Sequence, residues 1–201
     1  MITHLAGLTG YVSAALLGAF MLAGDARGEE GAPDNARMCQ GCHGQEGISA
    51  KESVPSIAEI SVPVHADALR AYRDGARTCA DPKTKMMCTI SRKLTDEQIE
   101  SLAEFFAAME FKAATQEFDA DKAAAGASIH EENCEKCHTA GGSDAYDDAS
   151  ILAGQWMPYL RSSLAQFADS SREQPEAMKA KIEKLSEADV EALVHYYASQ
   201  Q

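Results

Sequence analysis

The sequence predicts an all-α protein built from two tandem copies of one small helical domain. No stretch alternates apolar and polar residues as paired β-strands do. The pattern Cys-x-x-Cys-His occurs twice, and Cys134 lies 95 positions after Cys39. The segment that begins at Leu94 is also repeated from Leu185, with a similar order of polar and apolar residues. Tandem duplication is the simplest account of both repeats.

The helices are predicted from apolar residues at helical spacing and from N-cap residues. Thr95 and Ser186 are good N-caps, and Gln98 and Asp189 stand three positions later. Gln at that position completes a capping box, and Asp suits a helix N-terminus. We expect helices at residues 33–41, 64–74, 96–110, 121–135, 156–167 and 187–199, with long loops between them.

An apolar run from Leu5 to Gly24 is followed by the small residues Ala26 and Gly28. Residues 1–28 therefore resemble a secretory signal peptide, cleaved after Ala26 or Gly28. The run also approaches the roughly 20 residues that span a bilayer, so an uncleaved membrane anchor is the alternative. Either way, we expect the rest of the chain to be exported, in a bacterium to the periplasm.

The chain has 18 Lys and Arg against 31 Asp and Glu, a net charge of −13. This charge argues against nucleic acid as a partner, because Lys and Arg supply most of the affinity for phosphates. A basic protein partner is more plausible, although an acidic excess also suits a merely solvated surface.

Both copies of Cys-x-x-Cys-His have the residues that covalent attachment of haem c requires. Two thiols add to the haem vinyl groups, and the adjacent histidine is the proximal iron ligand. A zinc clip or a thioredoxin-like pair is the alternative, but 95 positions far exceed the roughly 15–20 residues within a zinc ribbon. The predicted attachment residues are Cys39, Cys42, Cys134 and Cys137, and the predicted proximal ligands are His43 and His138.

The second repeat identifies the distal ligands. A haem that only carries electrons needs its sixth iron position filled, and methionine does this while raising the reduction potential. Met178 lies seven positions before Leu185, and Met87 lies seven positions before Leu94. This register favours Met87 over its neighbour Met86, although methionines also commonly fill gaps in cores. The predicted axial pairs are His43–Met87 and His138–Met178, which leave neither iron open to a substrate.

Two smaller features lie near the first motif. The carbonyl of Pro55 could accept a hydrogen bond from the second ring nitrogen of His43 and fix the ring, or the proline could simply shape a loop. Cys79 and Cys88 remain after the haem thiols are assigned, and an oxidising compartment favours a disulfide between them over two free thiols. Such a bond would close a loop that ends next to Met87.

With ligands and repeat assigned, the chain resembles the tandem dihaem cytochromes c. Within that group, it resembles the cytochrome subunit of flavocytochrome c sulfide dehydrogenase. The segments that carry this resemblance are 55–58, 134–138, 151–156, 158–160 and 197–201.

The resemblance implies two class-I cytochrome c domains related by pseudo-twofold symmetry. We place them at residues 29–112 and 113–201, joined within 111–119. It also implies a subunit that is not itself an enzyme. That subunit would pass electrons from an FAD-containing sulfide dehydrogenase partner to a soluble acceptor protein. The alternatives are a free-standing periplasmic dihaem cytochrome that serves a terminal oxidase, and a haem enzyme such as a dihaem peroxidase or thiosulfate dehydrogenase.

Overall fold

The computed structural model describes residue 1, residues 32–80 and residues 82–201, so the predicted signal peptide lies outside the described part apart from its first residue. In that part there are helices and no strand, as predicted. In chain order they are α1 Ala36–His43, α2 Val62–Asp74, α3 Pro82–Ser91, α4 Asp96–Ala107, α5 Ala120–Asn133, α6 Thr139–Gly142, α7 Met157–Ala168, α8 Glu176–Ile182 and α9 Glu187–Ala198.

The first copy is built around α4. Helix α2 packs against both α3 and α4, and the apolar stripe of α4 faces the core of this copy. Ile99, Leu102 and Phe106 are almost completely buried there and pack with Leu69 of α2. Burial of such side chains contributes about 1.5–3 kcal/mol each, so this stripe fixes α4 in place.

The second copy is built in the same way around α9. Helix α7 packs against α8 and α9, and α5 packs along α9. The last contact is close because Gly126 lies on α5, where an added Cβ would stand 2.1 Å from the carbonyl oxygen of Ala192. Leu193 and Val194 of α9 are buried against Leu160 of α7.

Both predicted helix starts carry a complete capping box. The backbone N–H of Gln98 donates to the Thr95 side chain, and the backbone N–H of Thr95 donates to the Gln98 side chain. Asp189 forms the same reciprocal pair with Ser186, at 2.9 Å for the bond to its carboxylate. Aspartate therefore closes the box as well as glutamine does.

The hydrogen bonds of the loops repeat between the copies. The carbonyl of Gly47 accepts a bond of 2.7 Å from the backbone N–H of Ile57. The carbonyl of Gly142 accepts one of 2.8 Å from Leu152. The two acceptors, Gly47 and Gly142, are 95 positions apart, and so are the two donors, Ile57 and Leu152. The duplication read from the motifs therefore extends to the loops that follow them.

Three helices, α3, α6 and α8, were not expected from the sequence. Helix α3 begins at Pro82 and has little amphipathic character, and α8 has only seven residues. Isolated helices this short are unstable in water, and contacts with the rest of the fold stabilise them. The two predicted distal methionines lie on α3 and α8.

The two copies belong to one compact unit that runs from residue 31 to residue 201. Buried Gln155 crosses between them: its side-chain oxygen accepts from the backbone N–H of Ser56 at 3.1 Å, and its nitrogen donates to the Ser56 carbonyl at 2.7 Å. The indole N–H of Trp156 donates to the Ser49 carbonyl at 2.7 Å. These bonds hold the copies in a fixed arrangement. The exact domain limits remain predictions.

Among the described helices, none combines the length and apolar character that a membrane span requires.

Candidate haem sites

The first Cys-x-x-Cys-His motif lies on α1, which ends at His43. Gly44 stops the helix with φ of 84°, a backbone conformation that side chains disfavour. A Cβ at this position would also lie 1.9 Å from the carbonyl oxygen of Ile48. The glycine therefore lets the chain turn sharply behind the histidine and fold back as a loop.

His43 is buried, and its Nδ1 lies 2.8 Å from the carbonyl oxygen of Pro55. A carbonyl can only accept, so Nδ1 carries the proton and Nε2 keeps its lone pair. Burial lowers the pKa of His43, while the Pro55 carbonyl opposes this shift and the Lys51 charge adds to it. The ring is thus a neutral, oriented imidazole, the form that binds iron.

A cavity of about 260 Å³ opens beside His43. Cys39 and Cys42 line it with the histidine, Met87 stands on its wall, and many of the other lining side chains are apolar. The cavity is closed in part by α7 of the second copy. The structure thus brings together every residue that the sequence predicted for the first site.

The two neighbouring methionines of α3 differ in their surroundings. Met86 is 55% exposed, whereas Met87 is partly buried and packs against the core of the first copy. The adjacent Cys88 is buried and forms the predicted disulfide with Cys79, with Cα atoms 6.1 Å apart. The disulfide prediction is confirmed, and the bond ties α3 to the segment that follows α2.

The four motif cysteines are free of disulfides. Burial raises the pKa of Cys39 to about 11, opposed by a backbone hydrogen bond. Burial also raises the pKa of Cys134. All four thiols therefore remain available for the haem attachment that the motifs predict.

The second motif follows α5 directly, because α5 ends at Asn133. Burial lowers the pKa of His138, and the nearby Ser150 carbonyl opposes the shift. That carbonyl does not form a full hydrogen bond, since Nδ1 of His138 is buried without a partner in the described residues. Met178 lies on α8 and is partly buried. Its pairing with His138 rests on the repeat.

Sequence reasoning missed a buried cluster beside the second motif. His130 is 2% exposed. Its Nδ1 lies 2.9 Å from the Tyr197 hydroxyl, and its Nε2 lies 2.7 Å from the Glu135 carboxylate. The positions equivalent to His130 and Glu135 in the first copy are Asn35 and Gln40. A comparison of the copies residue by residue could have found this difference.

The residues present fit haem c. Two thiols, a neutral imidazole and a thioether sulfur surround one largely apolar cavity, which is the donor set of a methionine–histidine cytochrome. The structure shows this arrangement at the first site. The second site has the same Cys-x-x-Cys-His motif in the sequence.

Residues 26–106 and 121–196 each match the model of the family described as cytochrome c oxidase, cbb3-type, subunit III. Cytochrome c-554(548) of Halomonas halodenitrificans is 30% identical over 88 residues, which are 44% of this chain and all of that protein. The thiosulfate dehydrogenase electron acceptor of Stutzerimonas stutzeri is 34% identical over 73 residues. That match spans 36% of this chain and only 33% of the acceptor.

Solved structures share the fold. Cytochrome c4 of Pseudomonas stutzeri has a TM-score of 0.72 at 22% identity, covering 87% of this chain and 98% of its own. Cytochrome c4 of Acidithiobacillus ferrooxidans has a TM-score of 0.67 at 23% identity, covering 80% and 98%. Thiosulfate dehydrogenase TsdBA of Marichromatium purpuratum has a TM-score of 0.69 at 25% identity, covering 85% of this chain and 38% of its own. The predicted class, all-α with two tandem class-I cytochrome c domains, is confirmed.

Proposed function

The chain belongs to the family of cytochrome c oxidase, cbb3-type, subunit III, and we propose that it relays electrons from a sulfur-oxidising enzyme to a soluble acceptor protein. It is a dihaem c-type cytochrome with two covalently bound haem c groups. Each haem iron takes up and releases one electron at a time. The observation that carries the proposal is the shared cavity of His43, Met87 and the first two motif cysteines.

In this proposal His43 and Met87 are the axial ligands at the first site, and His138 and Met178 are those at the second. The bond from His43 to the Pro55 carbonyl holds the imidazole in one orientation and supports its basicity toward iron. With both axial positions filled by side chains, neither iron has an open position for a small substrate. The chain therefore moves electrons, and its partner carries out the substrate chemistry.

The proposed donor is a thiosulfate dehydrogenase. The support is the likeness to a protein named as an electron acceptor of that enzyme and to one part of TsdBA. The chain matches about a third of each of these proteins, so the donor is inferred from likeness to that part alone.

An FAD-containing sulfide dehydrogenase is the second candidate donor. The sequence segments at 151–156 and 197–201 favour it, because they resemble the cytochrome subunit of the flavocytochrome. Two haems also suit a flavin, which collects two electrons where each haem takes one. The terminal oxidase remains the alternative acceptor for a free-standing carrier.

The proposed location is the periplasm, where haem is attached after export. A partner with a basic docking surface is expected, since the chain carries a net charge of −13. Association should then weaken as ionic strength rises, because salt screens exposed charges.

The test is reduction of the purified holoprotein by each candidate donor in stopped flow. Thiosulfate with its dehydrogenase, and sulfide with the flavoprotein, are compared with each substrate alone. We expect fast reduction of both haems by one enzyme and slow or no reduction by the substrates. Reduction by neither enzyme, with the haems loaded and reducible by dithionite, would contradict the proposed donors.

The axial ligands are tested separately. The oxidised holoprotein should show the absorption band of a methionine–iron bond. Its complete absence would contradict methionine ligation at both sites and would favour a haem enzyme instead.

A further inference from the structure

Two arginines meet where the copies face each other. Arg77 follows α2 and Arg172 follows α7, and they are 95 positions apart, as are the motif cysteines. The two residues form an isolated antiparallel bridge. Next to it, the backbone N–H of Thr78 donates to the Ser171 carbonyl at 3.2 Å. Equivalent positions of the repeat thus meet each other directly.

The side chains repeat this symmetry. The Arg77 guanidinium lies 4.9 Å from the centre of the Tyr72 ring, and that of Arg172 lies 4.3 Å from the centre of the Phe167 ring. Tyr72 and Phe167 are also 95 positions apart. Each ring holds the cation of its own copy in place.

Neither arginine has an acidic partner among the described residues. Arg161, by contrast, binds Glu191 through two nitrogens, at 2.6 Å and 2.9 Å, and Arg73 contacts Asp96 at 2.8 Å. Within the described part of the chain, the bridged pair thus lacks an acidic partner although the chain has 31 acidic residues. Burial and the neighbouring Arg172 charge both lower the pKa of Arg77.

Both arginines line the cavity beside His43. Two adjacent, partly buried cations cost free energy unless an anion neutralises them. The walls around them are largely apolar, so the two arginines bring positive charge to a cavity that otherwise suits the haem ring. A haem carries two carboxylates at one edge, and guanidinium groups bind carboxylates with two parallel hydrogen bonds.

We propose that Arg77 and Arg172 together bind the carboxylates of the haem attached at Cys39 and Cys42. The inference rests on the proposed haem site in this cavity. One cation comes from each copy, so the second domain holds the cofactor of the first. The arginine pair thereby couples the haem to the contact between the domains.

The test compares Arg77→Gln and Arg172→Gln with Arg73→Gln, a control that removes an arginine already paired with carboxylates. Both midpoint potentials are measured by spectroelectrochemical titration of the haem-loaded full chain. Loss of a cation leaves a haem carboxylate uncompensated, which favours the oxidised iron. We expect the reduction equilibrium constant of one haem to fall about tenfold, which is 59 mV for one electron.

Arg77→Lys should leave the haem midpoint potential close to the wild-type value, because lysine keeps the positive charge at that position. A merely structural role for the arginine would not give this rescue. Potentials in both glutamine variants that equal those of Arg73→Gln would overturn the proposal.

A crystal structure of the unaltered holoprotein gives a result even where a variant fails to fold. Haem carboxylate oxygens within 4.0 Å of both guanidinium groups are expected. Carboxylates that point away from the pair would overturn the inference. Failure of the haem site itself is distinguishable, because the protein would then carry no covalent haem at Cys39 and Cys42.

Discussion

The disulfide between Cys79 and Cys88 should hold the Met87 segment in place. The bond closes a loop of ten residues, and Met87 precedes the second cysteine directly. The chain-entropy relation gives about 2.7 kcal/mol for closing a loop of this length at 25 °C. We therefore expect the Cys79→Ala/Cys88→Ala double variant to lose about 2.7 kcal/mol of unfolding free energy. Its methionine–iron bond should also break earlier in a denaturant titration.

The assay follows the methionine–iron absorption band and the far-ultraviolet circular dichroism of the holoprotein during guanidinium titration. The control is Met86→Ala, which changes an exposed neighbour on the same helix. If the double variant loses neither stability nor the band relative to this control, the bond does not support Met87. Thiol counting on the unfolded, oxidised wild type provides a further check, because two reactive thiols would show that no disulfide forms.

Three further outcomes are expected. Met87→Leu should remove about half of the methionine–iron band, since the proposed ligation gives each haem one such bond, while Met86→Leu should leave the band intact; equal spectra would contradict the assignment. Gln155→Ala should lower the unfolding free energy by about 2–3 kcal/mol, because it leaves the N–H and C=O of Ser56 buried and unpaired; thermal and chemical denaturation measure this loss. The histidine side chain and two backbone N–H groups that donate to Glu135 lower the pKa of its carboxyl group below the ordinary 4.5. The ionised Glu135 carboxylate therefore stabilises the fold fully above pH 4.5, and this stabilisation is lost as the pH falls through the lowered pKa of the folded state. The unfolding free energies of Glu135→Gln and of the wild type should therefore differ less in acid than at neutral pH.

The long helices could be predicted because their signals are local. Helix α4 has a capping box at Thr95 and apolar residues that return every three or four positions, and both features are visible in the sequence. Helix α3 has neither feature. It has a proline at its start, and the disulfide to Cys79 ties it to the segment that precedes it. No local pattern could therefore show that Met87 lies on a helix.

Candidate residues for the first site could be named from the sequence because haem attachment requires two thiols and iron ligation requires a histidine or methionine. In the structure these candidates line one cavity. The carbonyl oxygen of Pro55 lies 2.8 Å from Nδ1 of His43, the contact that the sequence suggested for this proline. Its counterpart near His138 has no proline, and the full hydrogen bond is not formed there. The missing proline made the sequence argument weaker for the second site, and the hydrogen bond to His138 is also weaker there.

The arginine pair lay beyond this kind of reasoning, although its signal was present. Arg77 and Arg172 share the 95-position offset of the haem motifs, but nothing near either residue indicates a role. Their meaning depends on the two copies facing each other, which brings equivalent positions into contact. A duplicated chain can thus build one site from two identical residues, each of which looks ordinary in its own copy. The offset of a repeat should therefore be applied to every charged residue of such a sequence, because unpaired cations at equivalent positions mark where an anionic cofactor can be shared.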